Sequence, residues 1–183
     1  AAGHTIRGSM QFGLNLMSIT NDGLIEAAGS QGMTIDADGN GFDNNNLVRA
    51  NSGSSLNIFA TSFDNTGAII HAQDNAVVSL SSSTVLAGTL TSAGSGFMSF
   101  TGSELNSVTN NADLRLPNNN TDLLRNTFVN NGVLNMTSIG NATDLRIVGP
   151  VTISGPGSIS ASNTQANRMY SDNGSRLTNA SGH

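Results

Sequence analysis

Phe42-Asp43-Asn44-Asn45-Asn46-Leu47-Val48-Arg49-Ala50 decides the fold, because the chain keeps returning to it. It is echoed by Phe63-Asp64-Asn65-Thr66-Gly67-Ala68-Ile69-Ile70-His71 and, upstream, by Ile19-Thr20-Asn21-Asp22-Gly23-Leu24-Ile25-Glu26-Ala27. A further echo is Phe128-Val129-Asn130-Asn131-Gly132-Val133-Leu134-Asn135. The closest copies are roughly 21 to 23 residues apart, the period of stacked coils rather than of a globule.

Each recurrence reads as two short strands and their corners. The first strand follows a turn residue, as in Leu24-Ile25-Glu26-Ala27, Leu47-Val48-Arg49-Ala50, Ala68-Ile69-Ile70 and Thr89-Leu90-Thr91. The turn site holds Gly23, Asn46, Gly67, Gly88 or Gly132, residues that share access to positive φ. The second strand alternates apolar, polar, apolar: Met33-Thr34-Ile35, Leu56-Asn57-Ile58, Val78-Ser79-Leu80, Met98-Ser99-Phe100. Such alternation turns one face inward and the other to water. Phe42, Phe63 and Phe128, each ahead of a corner, suggest a third side.

Stacking accounts for the composition. Parallel coils lie about 4.8 Å apart, so like residues sit above like. Columns of one charge would repel, whereas columns of Asn can hydrogen-bond along the stack. Charged residues are only 10% and aromatics 4% of the 183 residues. Roughly nine coils at that rise make a rod on the order of 40 Å long. The later half is less regular. Pro117, Pro150 and Pro156 fall there and are expected at corners or loops. Ala166–Tyr170 is expected to be a loop or a single turn.

The net charge is −5 and every cation is an arginine, scattered without a basic run. Counterion release from a nucleic-acid backbone therefore has no source. No apolar run approaches ~18 residues, so no membrane insertion is expected. There is no cysteine, which excludes disulfides and thiolate metal sites. Ala1-Ala2-Gly3-His4 opens no signal-peptide apolar region, so export would rest on an address outside this stretch. Ala180-Ser181-Gly182-His183 repeats the opening Ala1-Ala2-Gly3-His4 at three of four positions. Residues 1–183 thus read as a single unit, one repeat of a tandem or head-to-tail array.

Phrases such as Thr20-Asn21-Asp22-Gly23-Leu24-Ile25-Glu26-Ala27 and Gly3-His4-Thr5-Ile6-Arg7-Gly8-Ser9 resemble the repeats of filamentous-haemagglutinin-type and autotransporter-type bacterial surface β-solenoids. The resemblance covers most of the chain and is densest over residues 3–136. It implies an all-β, right-handed parallel β-helix, exported and displayed at the cell surface as a fibre. The chain departs from that pattern in lacking a membrane-barrel domain and a secretion signal.

Asp36-Ala37-Asp38-Gly39-Asn40-Gly41-Phe42-Asp43 is the sharpest local motif, matching the opening of an EF-hand-type Ca²⁺ loop. Asp36, Asp38, Asn40 and Asp43 are its candidate ligands, with Phe42 offering a carbonyl. Position twelve is Leu47 rather than the bidentate Glu, and the competing reading is a polar corner between coils. Asn120-Thr121-Asp122 is similar to one motif of β-helical polygalacturonases, but the paired Asp residues and Gly-His-Gly of those enzymes are missing. His4, His71 and His183 have no metal-ligand spacing. No nucleophile elbow occurs. Met33, Met98 and Met136 fall on strand positions and read as core.

The leading expectation is a non-enzymatic structural or adhesive module of an extracellular filament, self-associating head to tail. Its further partners would be surface glycans or cell-surface receptors. The alternative is a pectinase-like enzyme or glycan-binding module on the same scaffold. Enzymatic cleavage would draw on Asp36, Asp38, Asp43 and Asp64, since hydrolysis needs two carboxylates flanking one glycosidic bond.

Overall fold

The computed structural model describes residues 3–171 and 173–182, and among these it contains strands, turns and no helix. The first four coils carry three strands each. They are β1 (Thr5–Gly8), β2 (Met10–Phe12) and β3 (Ile19–Asn21); β4 (Leu24–Ala27), β5 (Met33–Ile35) and β6 (Phe42–Asn44); β7 (Leu47–Ala50), β8 (Ser55–Phe59) and β9 (Ser62–Asp64); β10 (Ile69–Ala72), β11 (Val77–Ser81) and β12 (Thr84–Leu86). Coil five adds β13 (Thr89–Ser92), β14 (Phe97–Thr101) and the start of β15 (Glu104–Asn111). From there the strands lengthen: β16 (Asp113–Pro117), β17 (Thr121–Asn130), β18 (Val133–Thr137), β19 (Thr143–Ser154). The chain closes with β20 (Ser158–Ala161), β21 (Asn167–Tyr170) and β22 (Leu177–Asn179).

Each strand pairs in parallel with its counterpart one coil away, as β4 does with β1 and β7. β2-β5-β8-β11-β14-β16-β18-β20 form one eight-stranded sheet. The architecture is a parallel β-helix of about eight turns, where the period suggested roughly nine. The first-side column β1-β4-β7-β10-β13 and the third-side column β3-β6-β9-β12 converge on β15. There the third strand of one coil fuses with the first strand of the next, and β17 and β19 keep that fusion.

Alternation builds the core. Met33, Leu56, Val78, Met98, Leu114 and Leu134 stack in one buried column, beside Ile35, Ile58, Leu80 and Phe100 in another. On the third side Phe42 lies on Phe63 with ring centroids 4.4 Å apart. Val85, Leu105 and Leu124 continue that column. Phe128 does not belong to it: its register partners are Val108 and Ile153, beyond the fused corner.

The coil length is not constant. Partner side chains lie 23 residues apart at Asn21 and Asn44, 21 at Asn44 and Asn65, and 20 at His71 and Thr91. One extra residue enters after Asn65, so Ile69 rather than Ala68 stacks on Leu47. Gly67 is therefore not the equivalent of Gly23. Positive φ is not common to the turn site: Gly88 adopts it, with φ 70°, but Gly23 and Asn46 do not. A Cβ on Gly23 would stand 2.1 Å from the carbonyl oxygen of His4 in the coil before. Close approach of backbones selects glycine there.

Ala166–Tyr170 is largely strand, since β21 pairs with the start of β19. Pro150 sits inside β19 rather than in a loop, but at a bulge: the register with β17 jumps from Val148 to Val151 across Gly149-Pro150. A bulge leaves its extra residues unpaired, so the missing N–H of proline costs the ladder nothing. Ala1, Ala2 and His183 of the terminal echo lie outside the described residues.

Candidate functional site

Side chains at corners form ladders that run along the stack. Asn21 Nδ2 donates to Asn44 Oδ1 at 2.7 Å, and Asn44 Nδ2 donates to Asn65 Oδ1 at 2.7 Å. All three are buried. The ladder stops where Gly88 packs on Asn65, because a Cβ there would lie 2.3 Å from Asn65 Nδ2. A second rung joins Asn110 to Asn130 at 2.9 Å. Each amide both gives and accepts a hydrogen bond, which is what a repeating column of one residue type requires.

The outward column of the first side is ionic. Register places Arg7, Glu26, Arg49, His71 and Thr91 in successive coils. Glu26, only 2% exposed, bonds Arg7 Nε at 2.6 Å on one side and the Arg49 guanidinium on the other. Alternating sign turns a geometry that penalises like charge into one that favours these pairs. His71 follows Arg49 and its ring Nδ1 meets Thr91 Oγ1 at 2.8 Å. Burial and then the Arg49 charge hold His71 below the usual imidazole range, with Thr91 opposing. Further along, Glu104 pairs with Arg125, and Asp144 with Arg168 at 2.7 Å. The Arg168 hydrogen bond holds the Asp144 carboxyl below its ordinary value despite burial.

The four candidate Ca²⁺ ligands are divided between a corner and a strand. Asp38 forms a closed turn with Asn40: its Oδ1 accepts the Asn40 N–H at 2.9 Å and its Oδ2 the Asn40 amide at 3.2 Å. Asp36 leads the same corner, tied by its backbone to Phe12 and Asn15. Asp43 instead faces outward on β6, where its register partner is Asp64. Asp43 and Asp64 are thus brought together on an outer face, apart from the Asp36–Asn40 corner. Among the described residues no group of three or more His, Cys, Asp or Glu converges as a metal-holding set.

Asn120-Thr121-Asp122 opens β17, and alternation turns Asp122 into the core while Thr121 stays exposed. The sequence signal for this burial is Leu124, two residues on and on the same inward face of β17.

The two ends of the stack are the surfaces on which the fold leaves most unfinished. Among the described residues, β1, β2 and β3 pair on one edge only, as do β20, β21 and β22. Ile6, Met10 and Phe12 are partly buried at the first coil, and Ile159 at the last. Met169, Tyr170 and Leu177 are 39%, 38% and 38% exposed around the last coil. A depression of about 280 Å³ opens there between Ile153, Ile159, Met169 and Leu177. An unpaired parallel edge beside an open apolar core is a template for another coil.

Comparison with protein-family models, with curated proteins and with solved structures gave no match to this chain.

Proposed function

We propose that this chain is a structural and adhesive module of an extracellular bacterial fibre, extended by further coils stacked on its ends. The single observation that carries the reading is the pair of open ends, each with one-sided strands around partly exposed apolar side chains. Covering the first coil of one copy with the last coil of another would continue the same parallel ladders. That contact joins two different surfaces, so it does not close and grows into a filament. The covering coil is supplied by a second copy or by adjoining repeat sequence in one polypeptide. A composition without cysteine fits a rod that needs no oxidative step to fold. The lateral faces, with Ser, Thr and Asn columns, are the surface offered to glycans or receptors.

The test is sedimentation and electron microscopy of the chain over a range of concentrations, beside Leu177→Lys. Leu177 is at the open end and partly exposed, so its substitution leaves the interior columns alone. The expected result is elongated particles that lengthen with concentration in multiples of roughly 40 Å, and shorter particles for the lysine variant. A wild-type chain that stays one coil stack long at every concentration overturns growth by self-association. A glycan array and a cell-binding assay test the adhesive half, and silence in both removes it.

A further inference from the structure

The third-side corner carries a ladder of small hydroxyl groups that ends on an acid. Thr61, Ser83 and Ser103 occupy it in successive coils and all are buried. Ser83 Oγ accepts the Thr61 N–H at 3.4 Å, and Ser103 Oγ accepts the Ser83 N–H at 3.0 Å. The two serine hydroxyls also donate to backbone of the coil before: Ser83 to the Ile58 carbonyl at 3.1 Å, Ser103 to the Leu80 carbonyl at 3.0 Å. The next position is Asp122, whose Oδ1 accepts the Ser103 N–H at 2.8 Å. Asp122 is 0% exposed, and its Oδ2 has no hydrogen-bond partner.

Each serine hydroxyl in this column both accepts and donates. An ionised carboxylate can only accept, and burying it with one oxygen unpartnered is costly. The neutral acid carries an O–H, as the serines do, and removes the buried charge. We infer that Asp122 is held as the neutral acid in the folded coil and acts as a proton-dependent latch, tightening the stack as the medium acidifies.

Charged groups flank it on the elements packed around it, and two of them form ion pairs of their own. On its own strand Arg125 pairs with Glu104 of β15. On β19 its register partner is Leu145, flanked by Asp144, which pairs with Arg168, and by Arg146. Burial pushes the Asp122 carboxyl up to about 7, against the opposing N–H groups of Ser103 and Gly102. The sign follows. An unfolded aspartate titrates near ~3.9, so between those values the folded chain holds a proton that the unfolded chain has lost. Stability from this group is complete below the unfolded value and is lost as pH rises through the folded one.

Two measurements test the latch. The first follows the ¹³C signal of the Asp122 carboxyl in the wild-type chain through a pH titration, and the expected midpoint is near neutrality. A midpoint in the ordinary carboxylate range overturns the inference without any variant. The second compares urea unfolding of wild type and Asp122→Asn, whose amide keeps one acceptor and gains a donor. The ratio of their folding constants should rise about tenfold per pH unit as pH falls from 7 toward 4. A ratio that does not change with pH sinks the latch. Because the comparison is a ratio, groups that titrate equally in both chains cancel.

Discussion

At the scale of the residue, the amide of asparagine is the part that this fold cannot exchange. Asn44 sits between Asn21 and Asn65, accepting from one and donating to the other. Asn44→Ala leaves a buried donor on Asn21 and a buried acceptor on Asn65. At about 1–3 kcal/mol for each buried group left unmet, the variant should lose about 3 kcal/mol in urea denaturation. Asn44→Asp should be no milder, because a carboxylate accepts from Asn21 but faces the Asn65 oxygen with another oxygen. Asp38 makes a contrasting case. Its carboxylate closes a turn on Asn40, so Asp38→Ala should cost about 1 kcal/mol, with or without millimolar Ca²⁺. A cost that appears only when Ca²⁺ is present would restore the cation loop. In the sequence a Ca²⁺ loop and a polar corner use the same Asp, Asn and Gly, since both need oxygens on a sharp bend. What separates them is where Asp43 points: alternation with the inward Phe42 turns it outward on β6, away from the corner that holds Asp38 and Asn40.

At the scale of the element, the strands of the second side were legible because apolar-polar-apolar triplets have one reading on a half-buried strand. The first and third sides were harder. Their register depends on corner length, and one residue added after Asn65 shifts Ile69 onto Leu47 while leaving Phe63 on Phe42. Phe128 looked like a third member of the phenylalanine column for the same reason. The fused strands β15, β17 and β19 remove the corner by which that column is counted. With register known, a hidden signal emerges: Arg7, Glu26 and Arg49 share one slot with alternating charge. Glu26→Gln tests how much this pairing fixes the slot. It keeps the shape and removes the charge shared by two guanidiniums, which are themselves 59% and 29% exposed. Solvent screening at those arginines limits the loss to about 1–2 kcal/mol. The loss should shrink in 1 M salt, whereas a packing defect would persist there.

At the scale of the whole molecule, stability is a sum over coils, and its pH dependence is a sum over the few groups whose affinity for protons the stack alters. Two of them oppose each other. Asp122 makes the folded chain hold one proton more than the unfolded chain as pH falls below about 7. His71, held below the ordinary imidazole value by burial and Arg49, makes it bind less proton than the unfolded chain as pH drops past that value. From about 6.5 down to the lowered value of His71, the imidazole therefore offsets part of the stability that Asp122 adds. Below ordinary carboxylate pH the profile turns down. There Asp144, held low by Arg168, and Asp74, held low by the Ser95 N–H and hydroxyl, resist protons that the unfolded chain accepts. Removing either opponent exposes the other. Through this interval His71→Gln should gain stability more steeply than wild type as pH falls, and Asp122→Asn should lose it. Chemical denaturation at four or five pH values reads both slopes. If the pH slope of His71→Gln matches that of wild type, the outward imidazole does not oppose the inward acid in this rod.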